Sequence, residues 1–261
     1  MNQFKQLLQS NEPPAFEIFN PQGQSCAVIV CDHASNRIPI SLENLGLSSH
    51  QLEAHIAWDP GAARVAEKLS SLLDAPLLLS QYSRLVIDCN RPFHALGSIP
   101  EQSAGIDIPG NQNLQIACRQ QRQREIFDPY QQAVSALLEN RPKQKTLLIS
   151  VHSFTPHLNN ELRPWLIGVC SGKDSRFANL LLPQLKQAVK GPVGNNQPYF
   201  IGSETDYTIP EQGEPRGIPS VMLEIRQDRI VTQEQVNSWA ELIAKGYFIV
   251  VENVLALKNL I

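Results

Sequence analysis

The sequence lacks the features that mark several large classes of protein. No apolar run approaches the ~20 residues that a membrane-spanning helix needs. The first residues, MNQFKQLLQSNEPPAF, contain no apolar stretch of the kind that a secretory signal requires. The chain carries 22 basic and 25 acidic side chains, and its net charge of -3 provides no electrostatic basis for binding nucleic acid. We therefore expect a cytoplasmic protein without membrane or nucleic-acid partners.

Cysteine is scarce, and its pattern argues against disulfides and against a thiol nucleophile. The five cysteines are an odd number, and no two of them form a C-x-x-C pair. Reduced thiols, buried as small hydrophobes, fit this pattern best. A cysteine hydrolase based on Cys31 or Cys89 is disfavoured, because the acid next to Cys89 opposes formation of a thiolate.

Several signatures of nucleotide enzymes and hydrolases are also missing. The chain has no G-x-G spacing, no G-x-x-x-x-G-K-[ST] loop, no G-x-S-x-G elbow and no H-E-x-x-H pair. These absences argue against nicotinamide enzymes, kinases and ordinary serine hydrolases.

Alternating strand and helix patterns predict the fold class. Short apolar runs, typical of strands covered on both faces, lie at Cys26–Cys31, Pro76–Ser80, Ser83–Asp88, Thr146–Val151, Leu166–Ser171 and Ser220–Ile225. Helical patterns lie at Ala62–Leu73, Leu114–Asn140, Ser175–Val189 and Gln233–Leu257, and Asp128-Pro129 is expected to split the second into two helices. This alternation predicts an α/β fold in three layers, a mainly parallel sheet with helices on both faces. The loops at Asn90–Gly110, Gly191–Gly202 and Pro210–Pro219 are too short to be domain linkers, so residues 1–261 are expected to form one domain.

Polar side chains follow four of the predicted strands. Because ligands bind at the carboxyl ends of strands in such a sheet, these residues are the first candidates for a functional site. They are Asp32-His33, Asp88 with Asn90-Arg91, His152, and Glu224 with Arg226. The convergence of histidines, carboxylates and arginines from separate strands predicts a chemical site at one edge of the sheet.

Two of these residues, His33 and His152, suggest a metal site. Neutral imidazole is a common ligand of zinc, and a catalytic zinc typically takes a third protein ligand and keeps one position open. Asp59, just before a predicted helix, is the stronger candidate for the third ligand, and Asn36 is the weaker one. Asp59 has an alternative role as the cap of that helix. The remaining histidines are expected at the surface: His50, His55, His94 and His157.

Glu224 is costly to bury within an apolar strand unless it is paired or works in catalysis. It is therefore either a general base or a salt-bridge partner of Arg226, and Asp32 is the next candidate for the base. The segment SRLVIDCNRP places Arg84, Asn90 and Arg91 close together, where they could hold a substrate carboxylate through charge-assisted hydrogen bonds. Their alternative role is an ion-pair network with Asp88.

Five segments also carry a family resemblance. In this order, CDHASNRIP, HIAWDPGAA, SRLVIDCNRP, ISVHSF and LEIR resemble the N-formylglutamate amidohydrolase family, over nearly the whole chain from about Ala27. The resemblance implies a metal-dependent hydrolase similar in fold to zinc carboxypeptidases and N-acetylmuramoyl-alanine amidases, with a late strand glutamate as base. One departure concerns the first metal segment, where carboxypeptidases have His-x-x-Glu and this chain has His33-x-x-Asn36.

These observations lead to a hypothesis for the activity. The protein is expected to hydrolyse an N-acylated, N-formylated amino acid, with Zn²⁺ or another divalent metal on His33, His152 and Asp59, and with Glu224 as the base. Arg84 is expected to stabilise the oxyanion. Asn90, Arg91, Asp88 and Arg226 are the expected substrate-binding residues. The alternative is a non-catalytic α/β module that binds a small carboxylate, and the sequence leaves the oligomeric state open.

Overall fold

A computed structural model describes residues 6–142, 145–158 and 161–258. The strands are Phe16–Phe19 (β1), Ala27–Cys31 (β2), Leu77–Ser80 (β3), Gln102–Ser103 (β4), Ile106–Asp107 (β5), Leu147–Phe154 (β6), His157–Leu158 (β7), Glu161–Leu162 (β8), Ile167–Cys170 (β9), Val193–Asn195 (β10) and Ser220–Arg226 (β11). The α-helices are Ser49–Glu53 (α1), Ala62–Leu73 (α2), Ile116–Arg122 (α3), Asp128–Glu139 (α4), Arg176–Ala188 (α5) and Gln233–Lys258 (α6). None of these helices is long and apolar enough to cross a membrane.

Seven of the described strands form one central sheet in the order β1-β3-β2-β6-β11-β9-β10. Its middle is parallel, because β2 pairs in parallel with β3 and β6, and β6 pairs in parallel with β11. The pairs β1–β3 and β9–β11 are antiparallel, and β10 is parallel to β9. The strands β2, β6 and β11 are buried along their whole length, as their apolar sequences predict.

Helices cover both faces of this sheet. Alternate residues of β2 divide between two apolar cores, with Ile29 in one and Val28 and Val30 in the other. The first core contains the apolar faces of α2, α5 and α6, and the second contains the buried side of α4. The predicted α/β class, a mainly parallel sheet between two helical layers, is confirmed.

The predicted strand at Ser83–Asp88 is wrong. This segment is a series of turns, although Leu85, Val86 and Ile87 are buried. Its carbonyl groups accept hydrogen bonds from side chains rather than from a neighbouring strand: Leu85 from Asn111 at 2.8 Å and Val86 from Arg122 at 3.0 Å. Buried polar side chains thus satisfy the backbone that a sheet would otherwise satisfy.

Other details of the local structure differ from the predictions. The stretch Leu114–Asn140 is not split at Asp128, because a π-helical turn at Gln123–Phe127 joins α3 to α4, and Asp128 has helical φ and ψ of -60° and -46°. The edge strands β1 and β10 were not predicted. Both are short, and β1 alternates between half-buried and exposed residues. β10 lies in the stretch Gly191–Gly202 that was predicted to be a loop.

Candidate metal centre and active site

The parallel core of the sheet brings the predicted metal ligands together. His33 follows β2, and His152 lies near the end of the adjacent strand β6. Glu224, on β11, is the register partner of His152. Asp59 precedes α2, and its backbone N–H donates to the carbonyl of His33 at 3.0 Å.

His33, Asp59 and His152 form a buried cluster in which one potential ligand atom from each residue lies within 4.8 Å of the others. Nδ1 of His152 is 2.9 Å and Nδ1 of His33 is 3.4 Å from Oδ2 of Asp59. Within the described residues, His33 Nδ1 and Asp59 Oδ1 make no hydrogen bond despite their burial. Buried polar atoms without partners are unusual, and a cation on these donors would satisfy them.

The two alternatives for Asp59 and for the third ligand find no support in the geometry. The residue at the N-terminal cap of α2 is Gly61, with a φ of 84°, and the Asp59 carboxylate faces the two histidines instead. Asn36 lies outside the cluster, and its side-chain amide donates to the carbonyl of Leu52 at 2.9 Å.

Carboxylates hold the other nitrogen of each imidazole. Nε2 of His33 is 2.7 Å from Asp88, and Nε2 of His152 is 3.3 Å from Asp32 and 2.9 Å from the Ser150 hydroxyl. Both rings therefore direct Nδ1 toward Asp59. Carboxylate partners of this kind orient imidazole ligands and raise their basicity.

Asp32, the second candidate for the base, is fully engaged. Besides its contact with His152, it accepts hydrogen bonds from the hydroxyl groups of Ser150 at 3.0 Å, Tyr130 at 3.0 Å and Thr208 at 2.6 Å. Asp32 is completely buried and does not line the cavity. Asp32 is therefore placed to orient His152 and not to exchange a proton with a substrate.

The charges in the cluster shift the pKa values of their neighbours. Burial lowers the pKa of His33 and His152, but the surrounding carboxylates outweigh it and raise both pKa values above their usual range. Burial raises the pKa of Asp59, and the two imidazoles outweigh it and hold this pKa well below its usual range. The carboxylates of the site are thus kept ionised, and the imidazoles hold protons that a metal would displace.

Glu224 is the exception among these carboxylates. Burial raises its pKa from 4.5 to about 8, and Oε2 has no hydrogen-bond partner among the described residues. The alternative pairing with Arg226 does not occur, because the Arg226 guanidinium forms an ion pair with Asp228 at 2.8 Å. Arg226 does not line the cavity, so the structure does not bring it to the other site residues.

Arg84 and Arg91 both reach the site and share Asp88 as a partner. Nη2 of Arg84 is 2.9 Å and Nε of Arg91 is 3.4 Å from Oδ2 of Asp88. Nη1 of Arg84 also lies 3.6 Å from Asp59. Asp88 therefore orients His33 and both guanidinium groups, although the segment that carries it is not a strand.

Asn90 is largely committed to the protein itself. Its side-chain carbonyl accepts the backbone N–H groups of Tyr207 and Thr208, and its amide nitrogen donates to Asp206 at 3.1 Å. These bonds fix the segment 206–208 against the wall of the site.

A cavity of about 280 Å³ joins these residues, and three of its features were not predicted from the sequence. His55, expected at the surface, lines the cavity, and burial lowers its pKa to about 4. Tyr199 also lines the cavity, and its hydroxyl accepts a hydrogen bond of 2.9 Å from Arg163. The guanidinium of Arg163 stacks 4.9 Å from the centre of the Tyr199 ring. His55 is the first residue of the segment HIAWDPGAA, four residues before Asp59, so its nearness to a predicted ligand was the available signal. Arg163 and Tyr199 lie outside the five segments, and loops distant in the chain bring them to the site.

The two cysteines considered as nucleophiles are buried. Burial raises the pKa of both the Cys31 and the Cys89 thiols well above the usual value, with the nearby carboxylates adding to the effect. Neither thiol lines the cavity.

The fold and site place the protein among known structures. The chain has the fold of the crystal structure of N-formylglutamate amidohydrolase from Ralstonia eutropha, with a TM-score of 0.64 over 93% of this chain and 98% of that one, at 15% identity. A gene product from Agrobacterium tumefaciens is more similar, with a TM-score of 0.89 and 33% identity over 94% of this chain and 99% of that one.

The sequence itself identifies the family. The model of the N-formylglutamate amidohydrolase family matches residues 25–231, and the chain belongs to that family of hydrolases. The resemblance inferred from the five sequence segments is thereby confirmed. A comparison with curated protein sequences finds no match.

Proposed function

We propose that this protein is an amidohydrolase that uses a divalent metal, zinc in the first instance, to hydrolyse the amide bond of an N-acylated amino acid such as N-formylglutamate. The observation that carries the proposal is the unsatisfied donor set: among the described residues, His33 Nδ1 and Asp59 Oδ1 are buried without a hydrogen-bond partner, and so is Oε2 of Glu224. Family membership supports the same reaction.

His33, Asp59 and His152 would hold the metal, a donor set of two imidazoles and a carboxylate that suits a catalytic zinc. When bound, the metal would supply a Lewis acid that polarises the acyl carbonyl and lowers the pKa of water. Asp88 and Asp32 would keep both imidazoles in the orientation that presents Nδ1 to it.

Glu224 would move the proton. A carboxyl group with a pKa of about 8 lies close to neutral pH, where a group is suited both to accept and to return a proton. In the reaction, the oxygen of water bonds to the acyl carbon and the C–N bond breaks. Glu224 Oε2 takes a proton from the water and passes it to the nitrogen of the leaving amine, so that the products are formate (or another acid) and the free amino acid.

Arg84 and Arg91 would bind the negative charges of the substrate. Arg84, held by Asp88 at 2.9 Å and open to the cavity, is placed to stabilise the oxyanion. Arg91 is the more exposed of the two, and we assign it to the substrate carboxylate. Asn90 would contribute by positioning the segment 206–208. Arg226 receives no part in substrate binding, because it pairs with Asp228 outside the cavity.

The competing function is a carboxylate-binding module without metal. Glu224 argues against it, because a buried carboxyl oxygen without a hydrogen-bond partner among the described residues is costly and has no use in a site that only binds a carboxylate. The test is metal analysis of protein purified without chelator, combined with an assay for release of formate and glutamate from N-formylglutamate.

The enzyme is expected to hold one metal ion per chain, to lose activity on chelation and to regain it with added Zn²⁺. Protein that binds glutamate but neither holds metal nor hydrolyses the substrate after addition of Zn²⁺, Co²⁺ or Mn²⁺ would establish the binding module instead.

A further inference from the structure

A second and larger cleft opens directly from the candidate active site. It has a volume of about 850 Å³, against about 280 Å³ for the cavity that contains the metal ligands. The two share five wall residues, His55, Arg84, Asp88, Arg91 and Tyr199, so they are continuous. A substrate at the catalytic residues is therefore in direct contact with this cleft.

The walls of the cleft combine apolar and hydrogen-bonding surface. Ile56, Leu85 and Leu158 contribute aliphatic side chains, and Ser103 and His157 contribute polar groups. The turn between β4 and β5 forms one side, and the chain from Thr155 to β7 forms another. Such walls suit a chain with an aliphatic stem and a polar end.

The charge of the cleft favours an anionic end. Asp88 is the one acidic residue among the described residues that line it, and this carboxylate is already held by His33 at 2.7 Å and by Arg84 at 2.9 Å. Arg84 and Arg91 add two permanent positive charges at the junction with the catalytic cavity. In the proposed function they face the oxyanion and the carboxylate of the amino acid, so the polar side chains left to meet a second anion in the cleft include those of Ser103 and His157. No carboxylate of the lining is free to repel an anion that enters the cleft.

A formyl group leaves this cleft empty. Its one carbon and one oxygen are the carbonyl of the amide itself, whereas clefts of about 300–1,000 Å³ accommodate drug-sized ligands. We propose that the preferred substrates are N-acyl amino acids whose acyl group is a chain of several carbons ending in a carboxylate, and that this chain lies in the cleft. The proposal rests on the proposed amidohydrolase function and extends it to the substrate class. The bond changes are those already given, with a dicarboxylate in place of formate as one product.

The test compares four amides of one amino acid in the zinc-loaded enzyme: N-formyl-, N-acetyl-, N-pentanoyl- and N-glutarylglutamate. Pentanoyl and glutaryl groups have the same chain length and differ in the terminal carboxylate. We expect kcat/KM to be at least tenfold higher for the glutaryl than for the formyl compound, and higher for the glutaryl than for the pentanoyl compound.

A variant tests whether the preference for the glutaryl substrate depends on the cleft. His157→Glu places a negative charge on its wall, and the ratio of kcat/KM for glutaryl over formyl substrate should fall about two- to fivefold, the scale of an exposed charge interaction. The control is His50→Glu, at an exposed position in α1 outside the cleft, which should leave the ratio unchanged.

Each other result has a definite meaning. If the formyl compound is hydrolysed as well as the longer ones, or if His157→Glu leaves the ratio unchanged, the assignment of the cleft is wrong while the amidohydrolase function stands. Equal rates for pentanoyl and glutaryl compounds would overturn the anionic end. If none of the four is hydrolysed with Zn²⁺ present, the proposed function fails as well.

Discussion

The substitution Glu224→Gln separates proton transfer from metal binding. Glutamine nearly preserves the size of the side chain, so β11 should stay packed and the histidines and Asp59 should still hold metal. What is lost is the acceptor for the proton of water and the donor to the leaving amine. Loss of a positioned general acid/base costs about 10²–10⁴-fold in rate, so kcat should fall by about that factor at unchanged metal content.

The same substitution should not destabilise the metal-free protein. The pKa of Glu224 is 4.5 when solvated and about 8 in the fold, so the carboxyl is more easily ionised in the unfolded chain. The free energy of unfolding that the neutral Glu224 carboxyl contributes below pH 4.5 is therefore lost as the pH rises from 4.5 through 8. About 3 kcal/mol of this contribution has been lost at pH 7. Glutamine does not titrate, but it buries an amide at a cost of about 1–3 kcal/mol. The variant should be as stable as the wild type or up to about 2 kcal/mol more stable at pH 7.

The effects of Glu224→Gln on turnover and on stability can be measured on one preparation. Formate release gives kcat for the zinc-loaded enzyme, and urea denaturation of the chelated protein at pH 5, 7 and 8 gives the free energy of unfolding. Glu241→Gln, at an exposed position of α6, is the matched control and should change neither quantity. A Glu224→Gln protein that is several kcal/mol less stable, yet normally active per folded molecule, would refute the role of Glu224 as the base.

Four further predictions concern the metal and the substrate. His33→Ala and His152→Ala should each abolish stoichiometric zinc in elemental analysis, whereas His50→Ala should retain it; a zinc-loaded His33→Ala or His152→Ala protein would remove that histidine from the ligand set. Because the pKa values of His33 and His152 are raised, zinc must displace protons. Calorimetric titration should therefore show affinity that increases as the pH rises through and above 6.5, with proton release, and pH-independent binding would contradict this. Arg91→Lys should raise KM for N-formylglutamate more than it lowers kcat, because lysine loses the two-pronged match to a carboxylate; equal losses on the uncharged amide analogue would exclude carboxylate docking. Tyr199→Phe should lower kcat/KM up to about tenfold, the value of one hydrogen bond, and an unchanged kcat/KM would leave Tyr199 as a wall residue only.

The central strands and the cluster of candidate metal ligands were predictable from the sequence. Runs such as CAVIVC and TLLISV are apolar without interruption, and only a strand buried on both faces needs that composition. Parallel strands carry their carboxyl ends to one edge of the sheet, so a histidine after each of two such runs predicts that His33 and His152 meet. Asp59 was predicted from the sequence segment HIAWDPGAA, and the structure places it between them. Their roles as ligands stay a prediction until metal is measured.

The conformation of Ser83–Asp88 could not be predicted from the sequence. Leu85, Val86 and Ile87 are as buried as residues of a strand, and hydrophobicity reports burial, not the partner of the backbone. The partners here are the side chains of Asn111 and Arg122, which lie 26 and 36 residues further along the chain from the carbonyls that they bind. Local pattern contains no information about such distant hydrogen bonds.

The sequence by itself determined which segments are buried and which polar residues end the parallel strands. Both follow from the amino-acid composition of each segment and from the spacing of its apolar residues. Only the tertiary structure decided how the remaining polar groups are shared. It pairs Arg226 with Asp228, commits Asn90 to the segment 206–208, and brings His55 into the cavity. The physical reason is that a charged or amide side chain bonds whichever partner the packed loops bring within about 3 Å, and that partner is fixed by the fold as a whole.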